Sequence, residues 1–155
     1  MYASVVLLLM LALPVVSIAI ESATTHAPLS LSMVGRWFVF WCVGARLLLA
    51  GLRQIIQPNF TARVIFRLDS KESQVVVREL GFANTAIGLV GLGSVLWKSW
   101  APAGALAGTV FYLLAGLNHL GQRNRSTPQS IALISDLFAA AVLAVSFGAL
   151  AGLPL

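Results

Sequence analysis

The sequence predicts an all-α protein, a polytopic membrane helix bundle with a four-helix core plus an N-terminal transmembrane helix. Composition is the first reason. The chain has 155 residues, of which 59% are hydrophobic and 10% charged, with mean hydropathy +0.91. A soluble domain carries about 25% charged residues, so this chain lacks the polar surface to cover a globule in water. Patterning is the second: apolar runs long enough to cross a bilayer alternate with short polar connections. Charge placement is the third. The net charge of +5 sits mostly in those connections, which fits the positive-inside pattern and anionic lipid headgroups rather than nucleic acid.

Residues 1–20 form the N-terminal unit. Ala3 to Ile20 is an unbroken apolar run of eighteen residues, at the lower end of what spans a bilayer. It reads as a retained helix with Pro14 as a tolerated kink. Ser17-Ile18-Ala19 resembles a signal cleavage site, but no basic residue precedes Val5. Glu21 to Ser32 reads as an exposed loop, with His26 a solvated histidine.

Residues 33–155 form the core bundle. Its first span is Trp37 to Ile56, with Trp37 and Trp41 suited to an interfacial aromatic belt. Gly44, Ala50 and Gly51 allow close approach of a neighbour. Arg46 lies ten residues before Ile56, about 15 Å of helix. That depth points it inward, toward an acid. Arg53, on the same face, is near enough to the end to snorkel. Residues 57–71 read as a basic amphipathic helix on the membrane surface. It starts at Pro58, with Phe60, Val64, Ile65 and Leu68 on one side and Arg63 and Arg67 at i and i+4. Asp69 and Glu72 have capping spacing, so the next span starts near Ser70 and runs to Trp97. Ser99 to Pro102 is a turn with Trp100 as anchor. Ala103 to Leu120 is the following span, with Gly104 and Gly108 as a packing face. Gly121 to Gln129 is a loop, and Ser130 to Leu150 the last span.

Orientation follows from basic residues. Arg53, Arg63, Arg67, Lys71, Arg78, Arg123 and Arg125 flank one side, against Arg36 and Lys98 on the other, seven against two. The positive-inside rule puts the first group in the cytoplasm, with the amino terminus inside and the carboxyl terminus outside.

This topology brings a set of polar residues to one level. Arg46, Glu79, Asn84, Asn118, His119 and Asp136 fall in the cytoplasmic half, and each core span supplies at least one. Thr109, Tyr112, Gly116 and His119 form a stripe leading down to the histidine. Ionisable groups within a span cost about 2.5–3.5 kcal/mol each and usually meet partners or a wet cavity. One reading is structural: Arg46 paired with Asp136 or Glu79 fixes helix register, and the amides and histidine complete hydrogen bonds. The other is a binding pocket formed by Arg46, Glu79, Asn84, Tyr112, Asn118, His119 and Asp136. Glu79 and Asn84 are separated by about 140° around a helix, so they straddle the pocket wall rather than share a partner.

Other chemistries find little support. The two histidines lie on opposite sides and Cys42 has no companion, so no metal site is expected. Cys42 reads as a small buried hydrophobe. The glycine-rich Gly88 to Gly93 follows a helical run rather than a strand, so it is a packing surface and not a dinucleotide loop.

Two strings carry a family resemblance: Arg46-Leu-Leu-Leu-Ala-Gly51, and Glu79-Leu-Gly81 followed by Gly88, Gly91 and Gly93. Over roughly residues 37–148 the chain resembles the DoxX-like integral membrane proteins, small bundles of four helices. The string from Arg78 to Asn84, with Pro58 to Ala62 before it and Asn118-His119 after, is similar to an uncharacterised bacterial branch. The resemblance implies a bacterial inner-membrane bundle sometimes associated with redox or thiol-stress partners, and it transfers no catalytic residue. The extra first helix and the long 57–71 connection depart from the DoxX pattern.

The first functional reading is therefore a non-enzymatic bundle whose pocket binds a lipid, a quinone or another small amphipathic ligand. It could serve as accessory to a redox complex, with a second membrane subunit or a homo-oligomer as partner. The second is a membrane-embedded isomerase or transferase on a lipid-like substrate, with Glu79 or Asp136 as general acid/base and His119 beside it. The third is a proton-coupled carrier, although only one acid lies well inside and no inverted repeat is evident.

Overall fold

The computed structural model describes residues 2–153. Every regular element among them is helical, and five helices are long and apolar enough to cross a membrane. They run Ala3–Thr25, Leu31–Ile56, Lys71–Gly93, Lys98–Leu120 and Thr127–Leu150, and are named here first to fifth in that order. The second helix is central, packing on the other four.

The first helix is longer than expected. It continues through Thr25 and ends at His26, whose left-handed φ of 54° closes it. The polar stretch after Ile20 was expected as loop, but its hydroxyls serve the helix. Thr24 and Thr25 return their Oγ1 hydrogen bonds to carbonyls one turn back, at 2.8 and 2.7 Å. Glu21 is thus on a helix rather than in a loop. It accepts from Arg36 Nη2 and Trp37 Nε1, both at 2.6 Å, which ties the first helix to the second. A π turn at Leu8–Ala12 precedes Pro14. Proline has no N–H for the Met10 carbonyl; the Cys42 thiol from the second helix donates to it at 3.8 Å.

The second helix starts at Leu31, ahead of Trp37, because Ser30 caps it by accepting from the Met33 N–H at 3.2 Å. Its contact with the third helix is backbone against backbone. Gly44 and Gly51 on one side, and Gly81 and Gly88 on the other, stand seven positions apart, which returns each to the same face after two turns. A Cβ on Gly88 would lie 2.5 Å from Leu48 N, and one on Gly51 would lie 2.7 Å from Gly81 O. Only glycine permits this approach.

The third helix is capped by Ser70, whose Oγ accepts from the Ser73 N–H at 3.1 Å. The Asp69-led cap does not form; Asp69 pairs with Arg63 at 2.6 Å instead. This helix ends at Gly93, short of Trp97, and Trp97 stacks on Trp100 with ring centroids 4.8 Å apart. In the fourth helix, Gly104 and Gly108 face Val39 and Val43 of the second. The fifth starts three residues earlier than expected, at Thr127. Ser126 and Gln129 make a capping box there that the polar look of residues 121–129 concealed.

The connection between the second and third helices also differs from expectation. Its helical part covers only residues 58–65 and ends in a π turn. Arg67 adopts a left-handed φ of 57°, so Arg63 and Arg67 do not share a helix face. Phe60, Thr61, Ile65 and Phe66 turn toward the bundle, and Gln129 Nε2 donates to the Ile65 carbonyl at 2.8 Å. The segment closes one end of the bundle over a cavity.

Candidate functional site

At the end where the second and fourth helices finish and the third and fifth begin, a cavity of about 450 Å³ lies inside the bundle. All five helices and the 58–65 segment line it. Its charged centre is an ion pair. Arg46 Nη2 lies 3.0 Å from Asp136 Oδ1, with side chains 14% and 6% exposed. Two charges this far from water are tolerated when each finds the other in good geometry.

The backbone around Arg46 explains how its position is held. Residues Val39–Ala45 form a π turn, so the Arg46 N–H reaches the Trp41 and Val43 carbonyls rather than that of Cys42. The Cys42 carbonyl receives the hydroxyl of Tyr112 from the fourth helix. That bond holds the Tyr112 ring beneath the guanidinium, whose Cζ lies 5.0 Å from the ring centroid. Tyr112 is fully buried and lies outside the cavity lining. Its part is to support Arg46 from behind rather than to form the wall.

Asn84 is buried and lines the cavity, donating from Nδ2 to Gln54 Oε1 at 2.8 Å. Its Oδ1 has no hydrogen-bond partner among the described residues. His119 is also buried and lines the cavity, and its Nδ1 has no hydrogen-bond partner among the described residues. Arg125 braces that end of the fourth helix, donating from Nη1 to the His119, Leu120 and Gln122 carbonyls at 3.2, 3.0 and 2.9 Å. A cation bonded to the last carbonyls complements the negative end of the helix dipole. Asn118 is exposed and contributes to the cavity rim.

Arg46, Asn84, Asn118, His119 and Asp136 are therefore brought together. Glu79 is not: it is exposed and takes no part in the lining. The 140° that separates it from Asn84 decides this. With Asn84 turned inward, Glu79 faces out, so it is withdrawn from the site and from the general-base role.

Several lining residues escaped the sequence reading. Gln54 lies eight positions after Arg46, on the same helix face, and that spacing could have flagged it. Arg53, near enough to the helix end to snorkel, instead lines the cavity with its Cζ 3.6 Å from the Phe60 ring centroid. Val5, Val6 and Leu9 of the first helix also line the cavity. No local signal marks them, because nothing in an apolar run says which neighbour it covers. Among the described residues, no three His, Cys, Asp or Glu side chains gather as a metal site requires.

The fold and site define a class: a five-helix membrane bundle with a charged pair buried at one end of a cavity lined mainly by apolar side chains. The chain belongs to the family of unknown function DUF6790, whose model matches residues 2–150. No curated protein and no solved structure matches the chain.

Proposed function

We propose that this protein is a non-enzymatic membrane bundle whose cavity binds one small amphipathic ligand, a lipid or an isoprenoid quinone. The observation that carries the reading is the cavity itself. Its size of about 450 Å³ lies in the range of small-molecule sites, about 300–1,000 Å³. A structural ion pair alone requires no such space. The lining suits an amphiphile, being largely apolar with a few polar groups from different helices. Asn84 Oδ1 and His119 Nδ1 are buried without partners among the described residues, and buried polar atoms normally have one.

The same reading places the protein in a bacterial inner membrane, with the cavity toward the cytoplasm. The seven-to-two distribution of basic residues supports that orientation. Kinship with the DoxX-like bundles, and with it a role beside a redox complex, rests on the glycine and Arg46 motifs.

The test is native mass spectrometry of the full chain, extracted in mild detergent from membranes containing phosphatidylethanolamine, phosphatidylglycerol and isoprenoid quinone. One lipid or quinone is expected to stay bound through delipidation. Ala115→Phe, which fills the cavity without changing its charge, is expected to lose it. A wild-type protein that stays folded and carries no adduct would refute the proposal.

A second reading has one observation in its favour: Asp136 and His119 line the same cavity. An acid and a histidine facing one lipid-like substrate could transfer a proton, as an isomerase does. Full turnover by Asp136→Asn in an assay that finds activity would end it.

A further inference from the structure

The cavity carries an imbalance of charge. Two guanidinium groups, Arg46 and Arg53, and one carboxylate, Asp136, line it. Asp136 is engaged by Arg46 at 3.0 Å. No carboxylate pairs with Arg53 among the described residues; its guanidinium rests on the Phe60 ring at 3.6 Å. Stacking on an aromatic face holds a guanidinium in place while leaving its N–H groups free to bond in their own plane. A stacked guanidinium at the edge of an apolar cavity is suited to a planar or tetrahedral oxyanion, which it can grip through two parallel N–H bonds.

The second observation is the route of entry. Val5, Leu49 and Leu114 line the cavity and are 45%, 53% and 60% exposed, so these apolar side chains do not seal its wall. An incompletely sealed wall of apolar side chains suits the entry of an acyl chain from the side. The third is the open acceptor at Asn84 Oδ1, one helix away from Arg53 and held by Gln54. It suits a hydroxyl or other donor beside the anionic group.

We propose that the cavity is selective for an anionic amphiphile, with its carboxylate or phosphate on Arg53, a neighbouring hydroxyl at Asn84, and its chain leaving between Val5, Leu49 and Leu114. This rests on the amphiphile-pocket reading and adds to it the sign of the ligand's charge and the residue that reads it. The Arg46–Asp136 pair then serves as a neutral floor, so that one positive charge remains for the ligand.

The test measures binding to the full-length protein at matched detergent concentration, with four probes. Oleate carries a carboxylate, lysophosphatidate a phosphate, monoolein the same chain without charge, and inorganic phosphate the charge without a chain. Oleate or lysophosphatidate is expected to bind at least about tenfold tighter than monoolein, the scale of one charge-assisted contact. Arg53→Gln is expected to remove that preference, and Arg53→Lys to keep part of it. Binding of inorganic phosphate alone, lost in Arg53→Gln, would support the anion site and assign its source to solution. Monoolein binding as tightly as both oleate and lysophosphatidate in the wild type would overturn the charge selectivity while leaving the amphiphile pocket intact, and this comparison requires no variant to fold. Failure of all three chain-bearing probes to bind would overturn the pocket reading itself.

Discussion

Replacing Asp136 by Asn changes one atom and removes a charge from the interior of the bundle. The carboxylate it deletes lies 3.0 Å from Arg46 and is 6% exposed. Breaking a buried pair by removing one partner costs about 3–5 kcal/mol, because the remaining charge stays desolvated. Here the lower end applies: Arg46 keeps the Tyr112 ring at 5.0 Å, and its own 14% exposure lets the cavity share the charge. The expected loss is therefore about 3 kcal/mol, a large part of the total for a domain holding about 5–15 kcal/mol. The assay is reversible unfolding in mixed micelles, titrated with denaturing detergent and followed by tryptophan fluorescence and circular dichroism. The double variant Arg46→Met/Asp136→Leu is the critical control. Removing both charges is expected to restore stability to within about 1 kcal/mol of the wild type, since apolar replacements of buried pairs are often neutral. Two results would refute the reasoning: Asp136→Asn unfolding within about 0.5 kcal/mol of the wild type, or a double variant as unstable as the two single losses added together.

Two further expectations follow from the packing. Gly88→Ala places a methyl 2.5 Å from the Leu48 backbone nitrogen, where no rotamer can relieve it. It should cost about 1–3 kcal/mol in the same assay, whereas Gly121→Ala, whose nearest neighbour would be 3.7 Å away, should leave stability unchanged; equal effects would mean that the glycines do not set the spacing of the second and third helices. Tyr112→Phe removes the hydroxyl that the Cys42 carbonyl accepts and leaves that buried oxygen to lose about 1–3 kcal/mol. Unaltered unfolding of Tyr112→Phe would show that the carbonyl released by the π turn finds another donor.

Hydropathy is additive along the chain, so the apolar runs and their number could be read without knowing what packs on what. Helix ends were less legible. Thr24 and Thr25, Ser30, and Ser126 with Gln129 are polar residues that a composition reading assigns to loops, yet each satisfies a helix terminus. Depth was legible as well, since it is counted in residues from an interface. Arg46 and Asp136 were placed at one level by counting alone, and the pair they form in the structure was one of two partnerships left open.

What the chain determined alone was thus the set of spans, the level of the buried charges and the glycine faces, because all three depend on residue type and local spacing. What only the tertiary structure decided was rotation about each helix axis and the identity of each neighbour. Rotation turned Asn84 inward and Glu79 out, and set Tyr112 behind Arg46 rather than in the cavity wall. Neighbour choice made Val5 and Leu9 of the first helix part of the cavity and brought Phe60 against Arg53. The physical reason is that an apolar helix gains nearly the same from lipid as from protein. Its facing is therefore chosen by a few close backbone contacts and buried polar pairs, and these exist only once all five helices are in place.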